Sequence, residues 1–366
     1  MHLADIAPSI FSSLGLIDPH GRTAFTPSPT GRECLLLVDG LGAEAINEYA
    51  KFVPTLSKLL HYAPVETAFP STTATSLATL MTGELPGTHG MLGYTVRVPR
   101  SGGRILNALK WDERVDPHTW QPVPTFFERG AAAGIEVSNV SAKRYEDSGF
   151  TRAALRGGTH RSANTITEMV EQTKVALRKS PSFAYLYVNE LDVAGHSDGV
   201  GSEKWLAALN GVDLLVATLM SKLPQGVRLW VTADHGMVNV TESIILGEGN
   251  PLLDGVAVIA GEPRARHIYL EEKHLADAAQ IATRMGEFLG ARAVLLNKSE
   301  AISQGLFGEH PSEAAQERMG EIIIIARGGL VLIEKAKQDQ ELAMVGHHGA
   351  LTDTERFVPL LSYEID

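Results

Sequence analysis

Three short apolar runs of this chain give out onto groups that can hold a cation. Residues 35–38, Leu-Leu-Leu-Val, stop at Asp39-Gly40. Residues 182–188 run into the sequence ELDVAGH, which brings Asp192 and, four residues on, His196. Residues 227–232 stop at Ala233-Asp234-His235, and a late His347-His348-Gly349 adds further imidazoles. Carboxylates and imidazoles together form a mixed oxygen and nitrogen donor set, which suits Zn²⁺ or a comparable ion. Taken singly, each piece has an ordinary explanation. Asp-Gly after a strand is a common turn, Asp-x-x-x-His recurs by chance, and a lone histidine is more often a surface or core group than a ligand. Their shared placement beyond the carboxyl ends of strands, where open α/β sheets bind ligands, makes them a set.

A second chemistry-bearing stretch is Ala68-Phe-Pro-Ser-Thr-Thr-Ala-Thr-Ser-Leu-Ala-Thr-Leu-Met-Thr-Gly83. Pro70 and the hydroxyls after it resemble a helix start, residues 74–81 an apolar helix, and Gly83 its stop. One reading is an ordinary Ser/Thr cap. The other places a threonine hydroxyl at a helix amino terminus, where free N–H groups and the helix dipole favour an anion. A metal-bound hydroxyl there would be a nucleophile near neutral pH.

The elements that must position these groups alternate. The three apolar runs suit buried parallel strands, and residues 124–133, 165–178 and 202–223 are amphipathic. This order predicts an α/β fold with a mostly parallel central sheet and helices on both faces. Residues 96–122 read as an irregular excursion with one strand at 104–106. Residues 240–340 hold their own elements: strands at 267–270, 293–296, 321–325 and 330–333, and a helix at 275–289. The expected organisation is an amino-terminal extension at 1–30, a catalytic core of 31–239 with 341–366, and an inserted α/β cap at 240–340.

Composition narrows the function. The 366 residues carry 32 Lys+Arg against 43 Asp+Glu, a formal charge of -11, and no basic cluster marks a nucleic-acid groove. Cys34 is the single cysteine, so an intrachain disulfide scaffold is excluded. The amino terminus lacks a basic n-region, and the longest apolar stretch, 322–333, is interrupted by Arg327 and Gly328-Gly329. No signal peptide or membrane segment is therefore expected, and a cytoplasmic setting is the expectation.

VDGLG, FPSTTATSLATLMTG with the following PGTHG, NELDVAGH, ADHGM and GHHG stand in the order seen in the alkaline phosphatase superfamily. The chain most resembles the nucleotide pyrophosphatase/phosphodiesterase branch, from about residue 32 to the carboxyl terminus and least across 240–340. The resemblance implies an alkaline-phosphatase-like fold and two divalent metal ions, most often zinc. Asp39, Asp234 and His235 would hold one ion; Asp192, His196 and His348, preferred over His347, would hold the other. The nucleophile would be Thr73, three residues after Pro70, rather than Ser71, Thr72 or Thr75. The implied reaction is hydrolysis of a small phosphate ester or nucleotide through a covalent phosphothreonine. A phosphomonoesterase is the alternative, with Arg97, Arg104, Lys143 or Arg152 as sources of the extra cation. A metal-bound, noncatalytic binding module is the reading from a different class, and the intact hydroxyl at Thr73 argues against it. The chain departs from the branch in two places. Tyr94 stands near a phosphate-binding asparagine's place, and Ala74-Thr75-Ser76 replaces a Phe-Pro-Asn that shapes the leaving-group pocket.

Overall fold

The computed structural model describes residues 1–18, 21 and 23–365. Residues 19, 20 and 22 of the expected amino-terminal extension, and residue 366 of the expected core, lie outside the described residues. A seven-stranded sheet runs through the main core in the order Leu60–His61, Leu360–Glu364, Arg228–Thr232, Arg32–Val38, Ser182–Val188, Glu136–Ser141, Thr159–Ser162. Neighbours are parallel from Arg228–Thr232 to Thr159–Ser162. Leu360–Glu364 pairs antiparallel with Arg228–Thr232 and brings the end of the chain back to the sheet. The three central strands are buried along almost their whole length, which is why they read as unbroken apolar runs.

Register decides where the chemistry falls. Val38 lies opposite Val188, and Leu37 opposite Thr232, so the three strands end level with one another. Asp39, the segment before Asp192, and Asp234 are therefore delivered to one edge. The two outer parallel strands were not anticipated from the sequence. Glu136–Ser141 has Ser138 and Asn139 buried among its valines, so no apolar run marks it.

The helices sit where the amphipathic segments predicted, each trimmed to its cap. Thr125 and Thr165 form capping boxes with Glu128 and Glu168 before Phe126–Ala132 and Ile166–Ala176. Ser202 caps Glu203–Lys222. The helix expected at 74–81 spans Thr73–Thr82 and ends at Gly83, whose φ of 68° only glycine adopts readily. The irregular excursion contains a hairpin of Thr95–Arg97 with Ile105–Asn107, one residue beyond the expected strand.

Between residues 240 and 340 the chain builds a second, antiparallel sheet in the order Val256–Glu262, Ala265–Leu270, Ile322–Ala326, Ala293–Asn297. Period-two alternation splits Ile322–Ala326 between two cores: Ile322 and Ile324 pack with Ile281 and Met285 from helix Ala278–Leu289, while Ile323 and Ile325 join the main core.

A buried ion pair fastens this sheet to the edge of the central one. Arg264 Nε donates to Glu355 Oε1 at 2.6 Å and Nη2 donates to Oε2 at 2.7 Å, with both side chains fully buried. Nη1 donates to the Leu330 carbonyl at 2.6 Å. Glu355 also accepts from Ala350 N–H at 3.0 Å, and its own carbonyl accepts from Gly236 N–H at 2.8 Å. Removing one partner strands the other as an uncompensated buried charge, which costs about 3–5 kcal/mol, whereas replacing both is far cheaper. Arg264→Met should lower the unfolding free energy by about that amount, read as a shift of the urea midpoint, and Arg264→Met/Glu355→Leu should recover much of the loss.

Candidate active site

Two close approaches let the strand-end loops converge. Gly40 has a φ of +78°, and a Cβ there would lie 3.1 Å from both Cα and Cβ of Asp192. A Cβ on Gly236 would lie 1.9 Å from the Thr354 carbonyl oxygen. Glycine at both positions removes the obstacle.

Main-chain carbonyls aim the imidazoles. Nδ1 of His196 lies 2.8 Å from Gly346 O, that of His235 2.9 Å from Gly236 O, and that of His348 2.9 Å from Ser71 O. A carbonyl can only accept, so each Nδ1 carries a proton and Nε2 is the nitrogen that can give up its proton to bind a cation. His235 Nε2 lies 3.3 Å from Asp39 Oδ1 and 3.7 Å from Asp234 Oδ2. His196 Nε2 and His348 Nε2 lie 3.4 and 3.9 Å from Asp192 Oδ1. Two sets of potential ligand atoms result, Asp39–Asp234–His235 and Asp192–His196–His348, with every atom of a set within 4.8 Å of the others. The sets adjoin: the rings of His235 and His348 stack at 3.6 Å between centroids. His347 belongs to neither set, because its Nε2 turns to the Glu341 carbonyl at 3.2 Å.

The carboxylates are short of hydrogen-bond donors. Asp39 Oδ2 accepts from the Tyr187 hydroxyl, and Asp234 Oδ1 from the N–H groups of Gly40 and His235. Asp39 Oδ1, Asp192 Oδ1 and Asp234 Oδ2 are buried with no hydrogen-bond partner among the described residues. Burial, then the neighbouring Asp39 charge, pushes Asp192 well above the usual carboxylate range and Asp234 up to about 7. Burial opposes the charged form of His235, but Asp234 and Asp39 outweigh it and push that imidazole up to about 10. Burial holds His196 low and His348 well below the ordinary imidazole value. Orphaned carboxylate oxygens facing imidazole Nε2 atoms fit a divalent cation in each set.

Thr73 is the first residue of its helix and lines the clefts beside both sets. Its Oγ1 lies 3.2 Å from His235 Nε2. The neighbouring hydroxyls are disposed differently. Ser71 Oγ donates to the Ala350 carbonyl at 2.8 Å, and Thr75 Oγ1 is buried without a partner. Two clefts open from Thr73 and share Asp192 and Leu109. One, of about 310 Å³, is walled by Leu77, Tyr145, Phe150, Leu155 and Tyr187. The other, of about 370 Å³, holds Tyr94, Asn107, Glu262, His196 and His348. Tyr94 is thus beside the centre. Arg97, Arg104, Lys143 and Arg152 line neither cleft, and three of them are engaged elsewhere: Arg97 with Glu321, Arg104 with Asp112, Arg152 with Asp147.

Sequence reasoning passed over Tyr187, Arg144 and Glu262. Tyr187 was legible in principle, since it shares a strand face with Tyr185 and lies two residues before Asn189. Arg144 and Glu262 arrive from a short 3-10 turn and the second sheet, and no local pattern marks them.

A parallel-stranded α/β fold with two adjoining carboxylate–imidazole sets around a threonine defines the nucleotide pyrophosphatase/phosphodiesterase branch of the alkaline phosphatase superfamily. Residues 34–351 match the family model described as type I phosphodiesterase / nucleotide pyrophosphatase, and the chain belongs to that family. Among curated proteins it is 24% identical over 242 residues to human ectonucleotide pyrophosphatase/phosphodiesterase family member 1, covering 60% of this chain and 24% of that protein. It is 27% identical over 223 residues to the venom phosphodiesterase of Naja atra, covering 56% of this chain and 26% of the venom protein. The chain thus spans about a quarter of the length of these relatives. The fold matches murine ectonucleotide pyrophosphatase/phosphodiesterase 5 with a TM-score of 0.71 at 16% identity, over 90% of this chain and 87% of that one. A further structure of the murine protein is of an inactive threonine-to-alanine variant in complex with AMP. The relatives' names, ecto-enzymes and a venom enzyme, lend no support to a cytoplasmic setting. Among the described residues no helix is long and apolar enough to cross a membrane.

The charge crowding fixes a pH signature. Asp234 and His235 hold their protons to higher pH in the folded chain than in the unfolded one, so stability falls as pH rises through those values. Below the ordinary imidazole value of about 6.5 the depressed His196 and His348 act in the opposite sense. Chelator-treated protein should therefore lose thermal stability steadily from about pH 6.5 to 9, and added Zn²⁺ should raise the Tm most at the alkaline end. A Tm indifferent to zinc across that range would count against a cation at this centre.

Proposed function

We propose that the protein is a two-metal phosphodiesterase or nucleotide pyrophosphatase with Thr73 as its nucleophile. The observation that carries this reading is the Thr73 hydroxyl, 3.2 Å from His235 Nε2 and lining clefts with residues of both ligand sets. Asp39, Asp234 and His235 would hold one ion and Asp192, His196 and His348 the other, with zinc favoured by the nitrogen and oxygen donors. Two such ions would neutralise the carboxylates, acidify the threonine hydroxyl and draw charge from the phosphoryl oxygens.

The chain's own groups supply the rest. The amino terminus of helix Thr73–Thr82 presents free N–H groups to a phosphoryl anion. The carbonyls of Gly346, Gly236 and Ser71 keep the imidazoles in one tautomer throughout turnover. Thr73 Oγ1 attacks phosphorus and forms the threonine ester. The bond to one ester oxygen breaks, and the departing alcohol takes up the proton that the threonine gave up. Water then cleaves the phosphothreonine and releases a phosphate monoester. The aromatic wall of Tyr145, Phe150 and Tyr187 suits a planar group on the substrate. AMP bound to the structurally similar murine protein supports a nucleotide as one such substrate.

Thr73→Ala should keep the fold and the metal content but lose nearly all turnover of an aryl phosphodiester, while Thr73→Ser keeps part of it. Normal turnover by Thr73→Ala, with Thr72→Ala or Thr75→Ala inactive, would move the nucleophile. Elemental analysis should approach two equivalents per chain. His348→Ala should lose one of them, whereas His347→Ala, whose ring faces a carbonyl away from both sets, should keep both.

A further inference from the structure

The second cleft holds a carboxyl group with no cation of its own. Glu262 closes the strand Val256–Glu262 and is 3% exposed, yet it lines the cleft with Thr72, Thr73, Tyr94, His196 and His348. Its Oε1 accepts the Tyr94 N–H at 2.5 Å, and its Oε2 is buried without a partner. The Thr72 hydroxyl, one residue before the nucleophile, lies against the same carboxyl.

The placement is built. A Cβ on Gly93 would lie 3.3 Å from Glu262 Oε1, and one on Gly349 would lie 3.1 Å from Glu262 Cβ, so both neighbouring loops leave space for this side chain. Thr95 pins the strand end, its hydroxyl donating to Gly261 O and accepting from Gly261 N–H, both at 2.9 Å.

The cations nearby are spent elsewhere. Arg266 directs its guanidinium to the carbonyls of Leu332 and Gly261 and to Glu341. Arg264 belongs to Glu355. Lys337 is paired with Glu334, and Lys110 is exposed at the cleft mouth. Arg144 lines the other cleft, bonded to Tyr145 and Asn189. Among the described residues no ion pair reaches Glu262.

Phosphodiesters and phosphomonoesters differ at this wall. A diester carries one negative charge over two free oxygens, and a monoester near neutral pH carries two over three. A monoesterase needs a donor or cation for the added oxygen; a carboxylate beside it is repulsive, and an unpaired like charge in a desolvated site discriminates strongly.

We propose that Glu262 is a specificity-determining residue, whose carboxyl beside the nucleophile loop rejects the dianionic monoester and confines the site to phosphodiester monoanions. This rests on the phosphodiesterase reading of the same centre. Burial pushes the carboxyl up to about 7 against the Tyr94 N–H and the Arg266 charge, so it is ionised on the alkaline side of neutrality.

The test compares bis(4-nitrophenyl) phosphate with 4-nitrophenyl phosphate, which share a leaving group, on zinc-replete wild type and Glu262→Gln at about pH 8.5. Glutamine keeps the shape and the acceptor for Tyr94 N–H but removes the charge. The ratio of kcat/KM for diester over monoester should fall at least tenfold, mostly through a gain on the monoester. Inhibition by inorganic phosphate should tighten by a similar factor, while that by dimethyl phosphate stays put. Glu262→Met, which keeps the volume, serves if the glutamine variant does not fold. An unchanged ratio, with both rates falling together, makes Glu262 merely structural and overturns the inference alone. Wild type inert toward both esters removes the phosphodiesterase reading, and this inference with it.

Discussion

Three aspartates end up around one desolvated centre, and the protein supplies too few hydrogen bonds to satisfy all their oxygens. Asp39, Asp192 and Asp234 each keep one buried oxygen with no hydrogen-bond partner by geometry among the described residues. Like charges in a desolvated site raise one another's proton affinity, and a dipositive ion relieves what no arrangement of main-chain N–H groups could. The level register of three parallel strands and the glycines at 40 and 236 make sense as means of forcing this encounter. So does the assignment of every nearby imidazole to a carbonyl on its far side. The fold concentrates negative charge where it can be used and spends ordinary packing energy to hold it there.

The positively charged side chains follow the complementary rule. Two fully buried arginines, Arg264 and Arg266, belong to Glu355 and Glu341. They tie the second sheet to the loops that carry the late histidines. With those guanidiniums committed to structure, the candidate centre has two sets of potential metal ligands, a helix terminus and neutral donors to offer a substrate, and one stranded carboxyl.

Much of this was legible in the residues and some was not. Central strands covered on both faces must be apolar throughout, so 35–38, 182–188 and 227–232 stood out, and the groups just past them became visible as a set. The choice of Thr73 and the pairing of candidate ligands into two groups came from the resemblance, since several hydroxyls near a helix start do not by themselves say which one faces the centre. Glu136–Ser141 escaped because its buried serine and asparagine break the apolar signal. Glu262 escaped for a different reason. It lies 168 positions along the chain from Tyr94 and 190 from Thr72, and only tertiary structure brings it to them. Tyr94, singled out as a departure from the branch, turned out to be the residue whose main chain that carboxyl holds.

The wiring of the histidines also bears on how the molecule comes into being. His196 is aimed by the carbonyl of Gly346, and His348 by that of Ser71, so each ring depends on a segment far away in the chain. On the ribosome, Asp39 emerges more than 300 residues before His348. Once His235 has been made a growing chain holds all three aspartates and the imidazole of the first set, but Asp192 and His196 still lack both the third candidate ligand and the carbonyl that sets the tautomer. A cation at the second set would therefore have to wait for the segment that carries Gly346 and His348, while the three donors of the first set are already available once His235 has emerged.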